Sequence, residues 1–180
     1  MSKVSDLSLI AQVTTTGSHR AFGLLVEQHQ EAVRRFLRRL TNGDVMLADD
    51  LAQETFIRAW KGLKSFRGAS NFETWLLKIA YRLYLDSKSN YRETEIDEIS
   101  EQPSAAGSYA EPSYSLNHDL DIALASLSEP ERTCICLQCI EGESIHDIVA
   151  ITGMNENTIK SHLLRGKKHL ANYLRKNGYE

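Results

Sequence analysis

Residues 143–168, ESIHDIVAITGMNENTIKSHLLRGKK, read as two helices joined by a tight turn, and no other stretch restricts the fold so strongly. Ile145, Ile148 and Val149 recur at helical spacing, and Ser144 with Asp147 forms a capping pair at the start. Gly153 supplies the permissive backbone that a sharp turn needs. Asn155, with Thr158 three residues on, caps the second helix. Ile159, Leu163 and Leu170 then face inward, which leaves Asn157, Lys160, Ser161, His162 and Arg165 outside.

The charge on that second helix is one-sided. Between Thr158 and Lys176 lie Lys160, Arg165, Lys167, Lys168, Arg175 and Lys176, with no acid among them. Base-edge donors early in a helix and phosphate-neutralising cations later match the way a helix-turn-helix enters a major groove. The plainer alternative is an amphipathic surface helix that only packs.

A net charge of −3 is unexpected for a nucleic-acid binder until it is partitioned. Residues 90–120 carry one base, Arg92, against seven acids: Glu93, Glu95, Asp97, Glu98, Glu101, Glu111 and Asp119. That segment more than accounts for the acidity; residues 1–89 sum to +4 and residues 121–180 to −1. Across 180 residues, 42% apolar content supports packed cores. No apolar run is long enough to span a membrane, and MSKVSDLSLIAQ lacks the apolar core of a signal peptide. The expected location is the cytoplasm, with no membrane-embedded segment.

Cys134, Cys136 and Cys139 lie close together in RTCICLQCIEG, a stretch that reads as helix and scatters the thiols over more than one face. A metal site would need a fourth ligand and a chain able to wrap the ion. Packing as small hydrophobes is the expectation. No metal and no cofactor is expected.

The chain divides into an all-α arrangement of two small helical domains joined by a flexible acidic linker. Residues 1–18 contribute a short helix around Leu7 to Val13, and residues 19–88 form the first domain. In that domain Phe22, Leu25, Val26, His29, Val33, Phe36, Leu37 and Leu40 repeat at helical spacing up to the turn cluster Thr41-Asn42-Gly43-Asp44. A second helix spans Leu47 to Leu63, and a third starts at a Ser70–Glu73 capping box and buries Phe72, Trp75, Leu76, Ile79, Ala80 and Leu83. Residues 89–117 are rich in Ser, Glu, Pro, Ala and Gly, and read as the linker. Residues 118–180 form the second domain, in which Ser128-Glu129-Pro130-Glu131 breaks one helix and caps the next.

Three motifs together resemble a known family. ADDLAQETF (Ala48 to Phe56) followed by Ile57-Arg58-Ala59-Trp60 is similar to the second region of sigma-70-type RNA polymerase sigma factors. FETWLLKIAYRLYLD (Phe72 to Asp86) looks like the promoter-melting segment that follows it, and LSEPER (Leu127 to Arg132) with the helix-turn-helix looks like the fourth region. Two such regions on a short linker resemble the extracytoplasmic-function group. The resemblance covers nearly all of residues 19–175.

It implies roles for particular residues. Asp49, Asp50, Gln53, Glu54, Ile57 and Trp60 would dock on core polymerase. Phe66, Arg67, Ser70 and Asn71 would capture a flipped base of the upstream-ten element, with Lys78 and Arg82 assisting promoter melting. Asn157, Thr158, Lys160, Ser161, His162, Arg165 and Lys168 would bind the upstream-thirty-five element. Trp75, Tyr81 and Tyr84, interleaved with Lys78, Arg82 and Lys88, are a mixture that can stack bases and hold phosphates, or equally pack one helix face and solvate the other.

The chain departs from the pattern of many relatives. Arg82 stands where Asn is common, His162 where Arg is common, and Gly166 where Ala is common. On propensity alone Gly166 costs about 1 kcal/mol of helix stability. Lys88 and Arg92 are fewer bases after Asp86 than relatives carry, and the three cysteines replace an aliphatic pattern.

The implied function is promoter recognition, DNA melting and transcription initiation, with core polymerase, promoter DNA and an anti-sigma factor as partners. Two other readings exist. A response-regulator-like factor would bind duplex DNA as a dimer without polymerase. A thiol or metal sensor would use the cysteines with His118 and His146. Paired carboxylates in an apolar setting, a phosphate-cradling glycine loop and a nucleophile motif are all missing from the sequence, so no catalysis is expected. The acidic linker invites one more idea, that it mimics a nucleic-acid backbone inside the polymerase channels.

Overall fold

The computed structural model describes residues 5–97 and 115–178, and among these there are eight α-helices and no strand. The first module comprises α1 (Asp6–Thr16), α2 (His19–Leu40), α3 (Val45–Gly62) and α4 (Phe72–Asp97). The second comprises α5 (Ser115–Ala125), α6 (Glu129–Ile135), α7 (Ile145–Thr152) and α8 (Glu156–Lys176).

Local chemistry sets most helix ends. The Ser18 hydroxyl accepts from the Ala21 amide at the start of α2, and Arg38 and Arg39 occupy its last turn, where the helix dipole favours cations. Asn42 (φ 54°) and Gly43 (φ 87°) both take the left-handed conformation and reverse the chain. Asp44 then caps α3 by accepting from the Leu47 amide at 3.0 Å. α2, α3 and α4 pack mutually, with α1 laid on α2. Leu25, Val33, Phe36 and Leu37 of α2 meet Ala48 and Ala59 of α3 and Leu76, Leu77 and Ala80 of α4 in a core closed to solvent. Trp75, Ile79, Phe56, Trp60 and Phe22 are half-buried at its edge.

Two expectations change here. The third helix is capped by Asn71, not Ser70: the Asn71 Oδ1 accepts from the Thr74 amide at 2.7 Å. Glu73, assigned to the capping box, instead reaches His29 Nδ1 at 3.0 Å. Buried His29 also holds Asp6 of α1 through Nε2 at 3.1 Å, so this histidine is a polar clamp and not part of the apolar stripe. The second change is that α4 continues through residues 89–97, which the sequence reading gave to the linker. Arg and Glu are good helix formers, and the segment holds neither Gly nor Pro to stop the helix. Most of that acidic linker, residues 98–114, lies outside the described residues.

In the second module α6 packs on α8 and α7 on α8, around Leu124, Leu127, Ile135, Leu137, Ile148, Ile151, Ile159 and Leu163. Cys134 and Cys136 lie in this interior, and burial pushes their thiols up to about 11 and about 12, so both stay protonated at neutral pH. Cys139, in the π-helical turn Cys136–Ile140, is exposed, and the core-packing expectation does not hold for it.

The two modules touch. α4 packs along α7, and α2 meets α5, α6 and the π-helical turn. Across that seam Arg35 binds Glu141 through two nitrogens, Arg39 lies 3.4 Å from Asp121, Lys88 pairs with Glu129, and the Thr74 hydroxyl donates to Glu143 at 2.8 Å.

Candidate nucleic-acid interface

The six residues expected to dock on a protein partner divide into two groups on α3. Met46, Asp50, Gln53 and Ile57 follow one another at i, i+4, i+7 and i+11, and all are exposed, Met46 at 82%. Glu54 beside them bonds Arg58 at 3.0 Å. Asp49 and Trp60 are drawn instead toward α2. Asp49 lies 3.4 Å from Arg34, and Trp60 stacks on His19 with centroids 4.6 Å apart. Met46 and its exposed neighbours Val45 and Leu47 were missed from the sequence. Their signal was an apolar trio on a first helical turn, beside acids that remain in water.

The loop between α3 and α4 begins with a 3₁₀ turn, Leu63–Ser65, and reverses at Gly68 (φ 69°). Phe66 is half-buried, its ring 5.4 Å from Trp75 and 5.7 Å from Phe72. Arg67, Ala69 and Asn71 are exposed. An aromatic floor, a cation and small polar residues can together hold an unstacked base. Lys78 is half-buried in the second turn of α4, and Arg82 is exposed one turn further on. Tyr81 and Tyr84, by contrast, are 8% and 4% exposed, so their faces are not available for base stacking. Burial pushes the Tyr84 phenol up to about 12.

Here the loop faces the other module. Phe66, Arg67, Trp75 and Lys78 form one wall of a cleft of about 310 Å³, whose opposite wall is His146 and Ile151 of α7.

The helix-turn-helix is built as its sequence indicates. Ser144 accepts from the Asp147 amide at 3.2 Å, Gly153 has φ 75°, and Asn155 accepts from the Thr158 amide at 2.8 Å. Ile159 and Leu163 are buried, while Leu170 is half-buried. Asn157, Ser161, Leu164 and Lys168 form a single exposed stripe at i, i+4, i+7 and i+11. Lys160 beside it pairs with Glu156 at 2.6 Å. Arg165 approaches His162 Nδ1 at 3.1 Å, and its Nε lies 3.8 Å from Glu131, so these two candidates lean back on their own module. Thr158 and His162 are half-buried. Leu164, 74% exposed amid polar neighbours, was missed; a branched apolar group there suits a thymine methyl.

Gly166 has a role that helix propensity does not reveal. It is buried against α6, where a Cβ would stand 2.9 Å from Ile135 Cγ1 and 3.3 Å from Glu131 Cβ. Only glycine lets these two helices approach so closely. The stability cost read from the sequence therefore gives way to a packing requirement. Glu131 beside it caps α6 by accepting from the Ser128 amide at 3.3 Å, and it also meets His169 at 3.2 Å. Burial acts to raise its carboxyl, but the hydrogen bonds from Ser128 and His169 win and hold it below the usual range.

Among the described residues no helix is long and apolar enough to cross a membrane. Comparison with known proteins matches sigma-70 region 2 to residues 25–93 and sigma-70 region 4 to residues 118–170. The chain is 35% identical over 162 residues to the ECF RNA polymerase sigma factor SigE of Mycolicibacterium smegmatis, an alignment covering 87% of this chain and 62% of that relative. It is 31% identical over 188 residues to the ECF RNA polymerase sigma-E factor of Escherichia coli (strain K12), covering 94% of each. Among solved structures it resembles the sigma factor RpoE in complex with the anti-sigma factor NepR from Bartonella quintana, with a TM-score of 0.74 and 29% identity over 87% of this chain and 98% of that one. CnrH in complex with the cytosolic domain of CnrY shares the fold, with a TM-score of 0.70 and 24% identity over 96% of this chain and 99% of that one.

Proposed function

Because this chain belongs to the extracytoplasmic-function group of sigma-70-family RNA polymerase sigma factors, and so directs promoter recognition and transcription initiation, we propose how its residues divide that work. Residues 19–88 bind core polymerase through the exposed stripe of Asp50, Gln53 and Ile57, with Glu54 at its side and Asp49 and Trp60 bracing α3 against Arg34 and His19 of α2. The loop residues Phe66, Arg67, Ser70 and Asn71 receive an unpaired base of the upstream-ten element, and Lys78 and Arg82 follow the phosphate path. Residues 118–180 place α8 in the major groove of the upstream-thirty-five element, where Asn157, Ser161 and Leu164 meet base edges and Lys160 and Lys168 meet phosphates. Thr158, His162 and Arg165 flank that contact.

The observation that carries this reading is the uncovered stripe of Asn157, Ser161, Leu164 and Lys168, on a helix that begins just after a left-handed Gly153 turn. RNA synthesis stays with the polymerase, and this chain performs no chemistry. It works in the cytoplasm, and an anti-sigma factor holds it inactive, as the similar RpoE is found bound to NepR. Reconstitution with purified bacterial core polymerase tests the reading. Selection of promoters from random DNA by the holoenzyme should yield a two-element site, and transcription should require no further protein. A chain that fails to associate with core polymerase, or that binds a palindromic duplex as a dimer on its own, would overturn it.

A further inference from the structure

We propose that His29 is a positioning residue for the loop at residues 66–71: its ring ties α1, which packs against the turn leading into that loop, to the first turn of α4, which closes it. The proposal rests on the role given to the loop above.

Both ring nitrogens of His29 face carboxylates. Nδ1 lies 3.0 Å from Glu73 Oε2, and Nε2 lies 3.1 Å from Asp6 Oδ1. An ionised carboxylate can only accept, so each contact is a hydrogen bond only where the nitrogen carries a proton. Two such bonds at once require the imidazolium. The neutral ring has one N–H, so it serves one partner and turns a lone pair toward the other. Burial acts against the charge, yet the hydrogen bonds and charges of Glu73 and Asp6 outweigh it and hold the ring's pKa above 6.5. Asp6 faces the ring from α1 and Glu73 from α4, while Arg35 on α2 and Glu143 interact with the same Glu73.

The clamp reaches the loop from both ends. α1 packs on the 3₁₀ turn Leu63–Ser65 as well as on α2, and that turn runs straight into Phe66. Glu73 stands two residues after Asn71, whose side chain caps α4. Between these ends the His29 ring meets Phe72 edge-on with centroids 5.3 Å apart, and Phe72 meets Phe66 in the same manner at 5.7 Å. Phe66 is the aromatic floor of the loop. Loss of the ring proton therefore releases either α1 or the start of α4, and with it the frame that presents Phe66 and Arg67. A loop already held in its binding shape loses less freedom when a base enters. Strand capture is then strongest at low pH and weakens as pH rises through the raised value of the clamped ring.

The test uses holoenzyme reconstituted from the full chain and core polymerase. The probe is a fluorescein-labelled single-stranded oligonucleotide carrying the selected upstream-ten element, read by anisotropy from about pH 6 to about pH 8.5. Wild-type affinity should fall about fivefold across that range. Asp6→Asn supplies an amide that can donate to a neutral Nε2, so it should keep its affinity at the alkaline end. Asp6→Ala can do neither and should show the lowered affinity throughout, with circular dichroism confirming that each variant folds. Histidine-selective nitrogen NMR of the full chain should find His29 protonated on both nitrogens in mildly acidic solution. Parallel pH profiles for the three chains, or a ring with a single N–H, would overturn the positioning role. Arg67→Ala in the same assay separates this from the role of the loop itself, since it should lower affinity at every pH. If it does not, the loop does not hold the strand, and the reading beneath the proposal falls.

Discussion

Gly166 of α8 rests so closely on Ile135 of α6 that a single added methyl would stand 2.9 Å from the isoleucine Cγ1. Gly166→Ala gains about 1 kcal/mol of helix propensity, yet overpacking a closed contact costs typically 1–3 kcal/mol. The net expectation is a lower midpoint in thermal unfolding, and in an Ile135→Ala background, itself destabilised by the lost core packing, adding Gly166→Ala should cost less than it does alone. A neutral or stabilising Gly166→Ala would show that α8 simply shifts away.

His29 makes the first module's stability depend on pH. Burial acts to lower its pKa, but the hydrogen bonds to Glu73 on α4 and Asp6 on α1, with their charges, outweigh it and raise it above 6.5. A raised folded-state value means the stabilisation is complete below the unfolded pKa and is lost as pH rises through the folded one. Urea unfolding should therefore show wild-type stability falling from mildly acidic to mildly alkaline pH. His29→Leu should flatten that part of the profile, and an unchanged slope would discount the clamp.

Glu143 should make the contact between the two modules respond to pH in the same direction. Burial is the largest influence and, helped by the weaker effect of the nearby charges of Asp147 on α7, Glu73 on α4 and Glu141, outweighs the Thr74 hydrogen bond and raises its pKa where the modules meet. Closure is then favoured at low pH and weakened as pH rises through that value, because the ionised carboxylate prefers water. Scattering should report a larger radius at higher pH in wild type and a smaller change in Glu143→Gln. Equal responses would assign the effect to another group.

On α8 the exposed stripe separates readout from attraction. Lys168→Ala should weaken binding evenly across sequences and lower the salt dependence by about one counterion. Asn157→Ala and Leu164→Ala should instead change which base is preferred, at about 1–3 kcal/mol for a lost base contact. Site selection at two salt concentrations distinguishes these results. A uniform loss from Leu164→Ala would remove it from base recognition.

For polymerase docking, Ile57→Glu puts a charge in the middle of the α3 stripe, and it should weaken core binding by about tenfold or more. Met46→Ala, at the exposed start of the same stripe, checks whether the surface extends that far. Fluorescence anisotropy with core polymerase reads both.

Much of this protein was legible in its sequence because the determinants were local. Ser144 and Asn155 each accept from an amide three residues on, and the Gly153 amide donates to the Val149 carbonyl four residues back, so the helix-turn-helix could be read from spacing alone. Helical periodicity likewise put Asn157, Lys160, Ser161 and Arg165 of α8 outside, as they are, although it also put half-buried His162 there and passed over exposed Leu164 and Met46. Residues whose partners lie far along the chain escaped that reading. Glu73 looked like a capping residue until the fold brought His29 within 3.0 Å, and spacing left Tyr81 and Tyr84 open between base stacking and helix packing until the fold buried them. Gly166 looked like a defect of its helix until Ile135 arrived beside it.

The seam is the extreme case. Neither Glu141 nor Glu143 carries any sequence signal for burial, and their partners Arg35 and Thr74 belong to another module, 106 and 69 positions away. What short-range spacing alone determined was the apolar stripes of the helices, the turn at Gly153 and the caps at Ser144 and Asn155, together with the resemblance they carry. Which polar groups would lose their water, and which loop another helix would cover, was decided only when distant segments met, since burial and ion pairing depend on separation in space and not along the chain.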